Sequence, residues 1–394
     1  MLKLRQAIVV EADQPQTAEL APGSPVTGAG EQSLVIELVG SGEPGDRRVA
    51  VSDLALVGRS EVGDDVIVNV QALDLGLGSG GFDIVHVNLT RGLHGDGAPG
   101  ANVMKLNYTS LQHAVDPVED EHLEIPIERP VAVLALHGQM AAVAWAFAQG
   151  RPGARLGYVQ TSGGALPGGH SRTVRVLRER GLLAGHLTAG AAYGGEGEAM
   201  TTAGALHHGL QSLGWDAAVC GPGPGIVGSN SPLGHGGMAA LDSAQVALAL
   251  GCPTLLVARM SSSDARERHR GISHHTLTVL DLLLEPVTVA LPAGMRSPVG
   301  ADLRSGLGAV FAGSEPSRPA LDLDVERPVR ITRHDWRRAA VDLPAYALSG
   351  LDVKTMGRSL SEDPLFFAAA LAGGSALSQL SESVFSEDGA RELP

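Results

Sequence analysis

Apolar and polar positions alternate in short runs over residues 1–90. AIVVEA (7–12), SLVIELV (33–39), VIVNV (66–70) and FDIVHVNL (82–89) are rich in β-branched residues and bounded by Gly, Pro, Asp and Ser clusters. That pattern predicts strands closing into a small β-barrel or sandwich. Residues 91–129 lack a sustained period and abound in Gly, Asp, Glu and Pro, which predicts an irregular connection.

From Pro130 the period changes to strands alternating with helices. VAVLAL (131–136) precedes a helix carrying Met140, Val143 and Phe147, and RLGYVQ (155–160) precedes one carrying Val174 and Leu177. LLAGHLT (182–188) leads to a helix with Ala203, Leu206, Leu210 and Leu213, and DAAVC (216–220) to one with Met238, Leu241 and Leu248. PTLLVA (253–258), a helix from His274 to Leu284 and VTVALP (287–292) bring the count to about six strands. The expectation is an α/β protein: a barrel-like domain over 1–90, then a three-layer α/β domain with a mostly parallel sheet over 130–295. A helical extension over 296–373 and an acidic mobile tail over 374–394 follow.

Composition narrows the function classes. At 394 residues the chain suits two cores, and 44% hydrophobic content excludes wholesale disorder. The opening MLKLRQAIVVEADQ lacks the apolar core of a secretory signal, and no apolar run reaches the roughly 20 residues that span a bilayer. Cys220 and Cys252 sit in apolar runs and imply no disulfide framework, so a reducing cytoplasm is expected. A net charge of −14 and 3% aromatic residues oppose nucleic-acid binding. The expected partner is a small anionic metabolite, with self-association left open.

Each strand of the second half is followed by a polar, glycine-rich loop: His137-Gly138, Thr161 to Gly164, Tyr193 to Glu198, Gly221 to Gly225, and Ser261 to His275. In a parallel sheet such loops share the carboxyl edge, where these folds bind ligands, so His137, Ser162, Gly163, Gly164, Gly221 and Gly223 are expected to converge there. The densest chemistry is DARERHRGISHH (264–275). Arg266, Arg268 and Arg270 can hold carboxylate or phosphate, while Ser273 can cap the following helix, whose amides also favour an anion. His269, His274 and His275 with Asp264 equally supply ligands for zinc or manganese, and a third reading makes the run a solvated helix cap. For proton transfer the candidates are His269, His274 and His275 with Glu196 or Glu198 as partner, although a carboxylate near a helix start also serves the dipole.

Other motifs weigh less. His207 and His208 read as core or edge histidines of a helix. Ser162 lacks a G-x-S-x-G elbow, which disfavours a serine hydrolase of that kind. Gly76, Gly78 and Gly81 have dinucleotide-fingerprint spacing but precede a strand rather than a helix. Pro222 and Pro224 remove amide donors from the GPGPG loop.

SGGALP (162–167), GGEGEAM (194–200), CGPGPGIVGS (220–229), RERHRGISHHTLT (266–278) and MGRSLSEDPLFF (356–367) together resemble domain-of-unknown-function family 3866, a bacterial family. The resemblance covers nearly the whole chain and implies no activity, substrate or cofactor; it does imply that Ser162 is not an essential nucleophile. Three functions therefore stand: an enzyme acting on a small anionic or phosphorylated metabolite, a metal-dependent hydrolase, or a non-catalytic metabolite-binding or interaction scaffold.

Overall fold

The computed structural model describes residues 2–14, 16–17, 30–40, 45–76, 81–93, 100–165, 167–229, 231–293, 331, 333–351 and 353–391. Five N-terminal strands close into a barrel: β1 (Leu4–Ala12), β2 (Gly30–Leu38), β3 (Arg47–Asp53), β4 (Asp65–Asn69) and β5 (Asp83–Asn88). β1 pairs antiparallel with β2 and β4, β3 bridges β2 to β5, and β4 pairs with β5, so the ring has no open edge. Alternation does the folding work. β2 buries every second residue, and Leu34, Ile36 and Leu38 meet Ala7, Val9, Val66, Val68 and Val85 inside. β3 escapes the sequence pattern because its first residues, Arg47 and Arg48, mask the apolar end. A strand follows Gly81, as expected for a hairpin loop, while Gly78 lies outside the described residues.

The second half is an eight-stranded parallel sheet: β6 (Val131–Leu134), β7 (Leu156–Thr161), β8 (Gly185–Ala189), β9 (Gly197–Ala199), β10 (Ala217–Pro222), β11 (Thr254–Val257), β12 (Thr288–Pro292) and β13 (Asp335–Ala339). Their order is β9-β8-β7-β10-β6-β11-β12-β13. The two strands beyond the expected six are the edges. β9 spans only three residues and β13 reads DWRRA, so neither shows the apolar run of a buried strand.

Helices cover both faces. On one, α1 (Met140–Gly150), α2 (Arg172–Glu179) and α6 (Pro364–Arg391) pack on Leu134, Tyr158, Val219, Leu255 and Val257. On the other, α3 (Thr202–His207), α4 (Ala239–Ala249) and α5 (His274–Leu282) pack on Val133, Val159, Cys220, Leu256 and Val289. The expected acidic mobile tail needs correction, because α6 runs through it and buries Ala376, Leu377 and Ser381. Its small residues permit close packing on α1 before the acids begin at Glu382. Residues 296–330 of the expected extension lie outside the described residues.

The connection over 100–129 is not featureless. Val103–Lys105 and His113–Val115 form a short hairpin, and Lys105 is buried against Glu198 at 2.7 Å, with Thr188 and Ala192 carbonyls at 3.1 and 2.6 Å. Burial lowers its pKa, with Glu198 opposing, and the bonds staple the hairpin to the β8–β9 edge. Arg175 of α2 pairs with Glu31 of the barrel at 3.0 Å. No helix among the described residues is long and apolar enough to cross a membrane.

Candidate functional site

Because every strand of the large sheet runs parallel, the segments after β6, β7, β10 and β11 emerge at one edge. Their glycines allow backbone to meet backbone. A Cβ on Gly236 would lie 1.6 Å from the Gly163 carbonyl oxygen, and one on Gly164 would lie 2.2 Å from that of Gly223. The expected convergence of Gly163, Gly164 and Gly223 is therefore a direct packing relation. Gly221 is buried beneath them against Leu134, whereas Ser162 is exposed.

Beside this platform lie four imidazoles. His235 stacks on His275 with ring centres 3.3 Å apart, His274 is 4.3 Å from His275, and His269 is 4.7 and 4.9 Å from His275 and His274. His269, His274 and His275 each offer a ligand-type atom within 4.8 Å of the other two. Nε2 of His269, Nε2 of His274 and both ring nitrogens of His235 are buried with no hydrogen-bond partner among the described residues. Burial, followed by neighbouring Arg and His charges, lowers these rings to pKa values of about 3 (His269), about 4 (His274) and about 2 (His275). At neutral pH all three are uncharged.

The partners set the tautomers. Arg259 Nη1 donates to His275 Nδ1 at 3.1 Å, and a guanidinium has no acceptor to offer. A neutral His275 thus carries its proton on Nε2. Ser273 Oγ accepts the His275 amide at 3.3 Å, capping α5 as its sequence position suggests, and its hydroxyl faces His269 Nδ1 at 2.8 Å. Donation there likewise leaves the proton of His269 on Nε2.

A charge network backs the imidazoles. Asp264 accepts from Arg266 at 3.0 and 3.1 Å, from Arg259 at 3.4 Å and from Arg358 at 3.5 Å. Burial alone would raise its pKa, but the Arg266 side-chain and backbone bonds outweigh that and hold it well below the carboxylate range. Asp363 accepts from Ser261 at 2.6 Å, the Ser262 amide at 2.8 Å and Arg358 at 3.0 Å. Three guanidinium groups thus share two carboxylates. Arg259, nearly inaccessible, has its pKa pulled to about 10 by burial, with Asp264 opposing. Arg268 and Arg270 are exposed; Arg270 donates to the Asp264 carbonyl at 2.9 Å, and the charge of Arg268 acts on His274.

A second buried group lies under β6 to β8. His137 Nε2 is 2.8 Å from Ser171 Oγ, Tyr158 OH is 3.4 Å from His137 Nδ1 and donates to the Gly221 and Pro222 carbonyls, and His186 stacks on Tyr158 at 5.0 Å.

The structure parts the carboxylates from the histidines they were expected to assist. Glu196 forms a two-pronged pair with Arg178, and Glu198 is taken up by Lys105, Thr188 and the Gly194 amide, so both serve the β8–β9 edge. His207 and His208 share Asp120. Sequence reading missed Arg259, Arg358 and Asp363. Arg259 reads as the tail of a strand; the other two lie in MGRSLSEDPLFF, which showed as a motif but carried no chemistry until the fold brought it beside Asp264.

A family model described as a protein of unknown function (DUF3866) matches residues 49–374. No curated protein and no solved structure matches the chain.

Proposed function

The chain belongs to this family, and we propose that it is an enzyme acting on a small anionic, phosphorylated metabolite held at the histidine and arginine cluster. The observation that carries the reading is the bond from Arg259 to His275 Nδ1, which leaves Nε2–H as the donor. With His269 set the same way, the cluster offers neutral N–H donors beside a surplus of guanidinium charge, which suits an oxyanion. Neutral imidazoles of depressed pKa act as electrophiles, donating hydrogen bonds to charge that develops on a reacting oxygen. His274, with Nε2 unpartnered, is the group left to move a proton. Arg266, Arg268 and Arg270 attract the substrate, and Ser273 holds His269 in register.

Thermal unfolding with inorganic phosphate, sulfate and a panel of phosphorylated metabolites tests this. A saturable rise in Tm that weakens with salt is expected, about 2.7 kcal/mol of stabilisation at a hundredfold excess over Kd. Absence of any response overturns it.

One observation favours a second reading, a metal-dependent hydrolase: the approach of three ring nitrogens to within 4.8 Å. Zinc or manganese would take lone pairs from His269, His274 and His275, with Asp264 behind them, which requires His275 to give up Arg259. A scaffold role would need neither donor geometry nor neutral imidazoles.

A further inference from the structure

We propose that Ser171 is a nucleophile activated by His137, forming a second catalytic site that takes short acyl esters. The inference is independent of the anion site.

The hydrogen-bond directions carry it. Ser171 caps α2, and its Oγ accepts the Val174 amide at 3.1 Å. The hydroxyl proton is then free to point at His137 Nε2, 2.8 Å away. On the far side of that ring, Nδ1 faces Tyr158 OH at 3.4 Å, and that hydroxyl directs its own proton to the Gly221 and Pro222 carbonyls. With its proton given to a carbonyl, the Tyr158 oxygen can only accept from the ring, so Nδ1 holds the proton and Nε2 presents its lone pair to the serine. Nucleophile, base and orienting group thus stand in sequence, as acyl transfer requires. Tyr158 is itself locked by the Gly221 and Pro222 carbonyls at 3.2 and 3.1 Å, which fixes the ring against rotation.

Two further observations point to a ligand. His186 is 4% exposed, stacks on Tyr158, and its Nε2 has no partner among the described residues. A Cβ on Gly168, in the turn leading into Ser171, would lie 2.7 Å from His186 Cε1, so the orphaned imidazole flanks the serine's own turn. A cavity of about 250 Å³ opens along the first turn of α2, lined by Ala141, Arg172, Thr173, Val176, Leu177 and Leu351. Its wall, as much polar as apolar, suits the mixed character of a short acyl ester, and the helix N-terminus favours negative charge developing on the carbonyl oxygen.

In the step, Oγ bonds to the ester carbonyl carbon while its proton passes to His137 Nε2. The C–O bond to the leaving alcohol breaks and the alcohol takes that proton. Water, deprotonated by the same nitrogen, then releases the acid.

The test is covalent labelling of the full chain with an alkyl fluorophosphonate, mapped by peptide mass spectrometry. The Oγ–P bond forms as the P–F bond breaks, and fluoride leaves. Native protein is expected to label at Ser171 and heat-denatured protein is not. Ser171→Ala should lose the label, His137→Gln should label roughly a hundredfold more slowly, and Tyr158→Phe should fall between. A native protein unlabelled at Ser171, or His137→Gln labelling at the wild-type rate while retaining its Tm, overturns the proposal. Should His137→Gln fail to fold, native-only labelling of Ser171 in the wild type supports the proposal and its absence refutes it.

Discussion

Arg259 gives one N–H to Nδ1 of His275 across 3.1 Å while its other Nη faces Asp264 at 3.4 Å. The same guanidinium therefore neutralises a buried acid and fixes the tautomer of the imidazole beside it.

That bond should control metal affinity. With Arg259 in place, protein purified without chelator is expected to hold far less than one equivalent of zinc or manganese by elemental analysis. Arg259→Met releases the Nδ1 lone pair and removes a nearby cation, so zinc affinity measured against a competing chelator should rise about tenfold or more. Stoichiometric metal in the wild type, lost in His274→Ala, would establish the hydrolase reading instead.

Asp264 should matter more for stability than any surface acid. It is 1% exposed and accepts from three arginines, so Asp264→Asn leaves buried positive charge uncompensated. The expected loss is about 3–5 kcal/mol in urea denaturation. Asp335→Asn, whose side chain is 51% exposed beside Arg337, should cost about 0–1 kcal/mol. Equal effects would mean that the cluster is not an electrostatic unit.

Acid should destabilise the fold well before carboxylates titrate. Burial alone depresses His137 to about 4, and burial followed by neighbouring charges depresses His186 to about 3, His269 to about 3, His274 to about 4 and His275 to about 2, against an unfolded value of 6.5. The native state then binds fewer protons than the unfolded state between these limits, so stability rises with pH there. The contribution is complete above about 6.5 and is lost as pH falls toward about 4, at about 1.4 kcal/mol per pH unit for each ring. Asp264, held below its ordinary range, adds a separate loss only below about 3.9. Urea midpoints at pH 7 and pH 5 check the sign, and His186→Gln should flatten the slope. A midpoint unchanged across that window would contradict neutral buried imidazoles.

The barrel and the alternating half were legible because burial there obeys a period of two or follows continuous apolar runs, as β2 and β7 illustrate. Ser273 was legible as a cap because capping is local. Glu196 and Glu198 misled for the opposite reason. Their place beside a glycine-rich loop was visible, but Arg178 and Lys105, which claim them, lie 18 and 93 positions away. Arg259, Arg358 and Asp363 needed the same long-range closure: Arg358 reaches Asp264 across 94 positions. Local signals survive in sequence, whereas the identity of a charge partner is a property of the fold.

Gly236 tests whether the glycine loops position the site or merely shorten connections. Its neighbour His235 carries the imidazole stacked on His275, and the strand-like pair formed by Gly228 with His235 fixes that backbone, helped by the Gly236 amide on the Val227 carbonyl at 3.0 Å. A methyl at position 236 would fall 1.6 Å from the Gly163 carbonyl oxygen, which is backbone and cannot rotate aside. Either the β7 loop or the His235 loop must shift by more than an ångström. Overpacking of that kind costs about 1–3 kcal/mol. The site should suffer more than stability does, because only the four-ring cluster depends on the two loops meeting. In Gly236→Ala the response of Tm to phosphate should fall at least fivefold in apparent affinity, and His235 ring resonances should move, while far-UV circular dichroism stays unchanged. Gly153→Ala is the control: its φ of +84° makes it strained, but no atom lies within 4 Å of an added Cβ and it is remote from the carboxyl edge, so it should lose stability without loss of anion response. If both variants lose stability and neither changes the phosphate response, the loops are connections only and the anion site lies elsewhere.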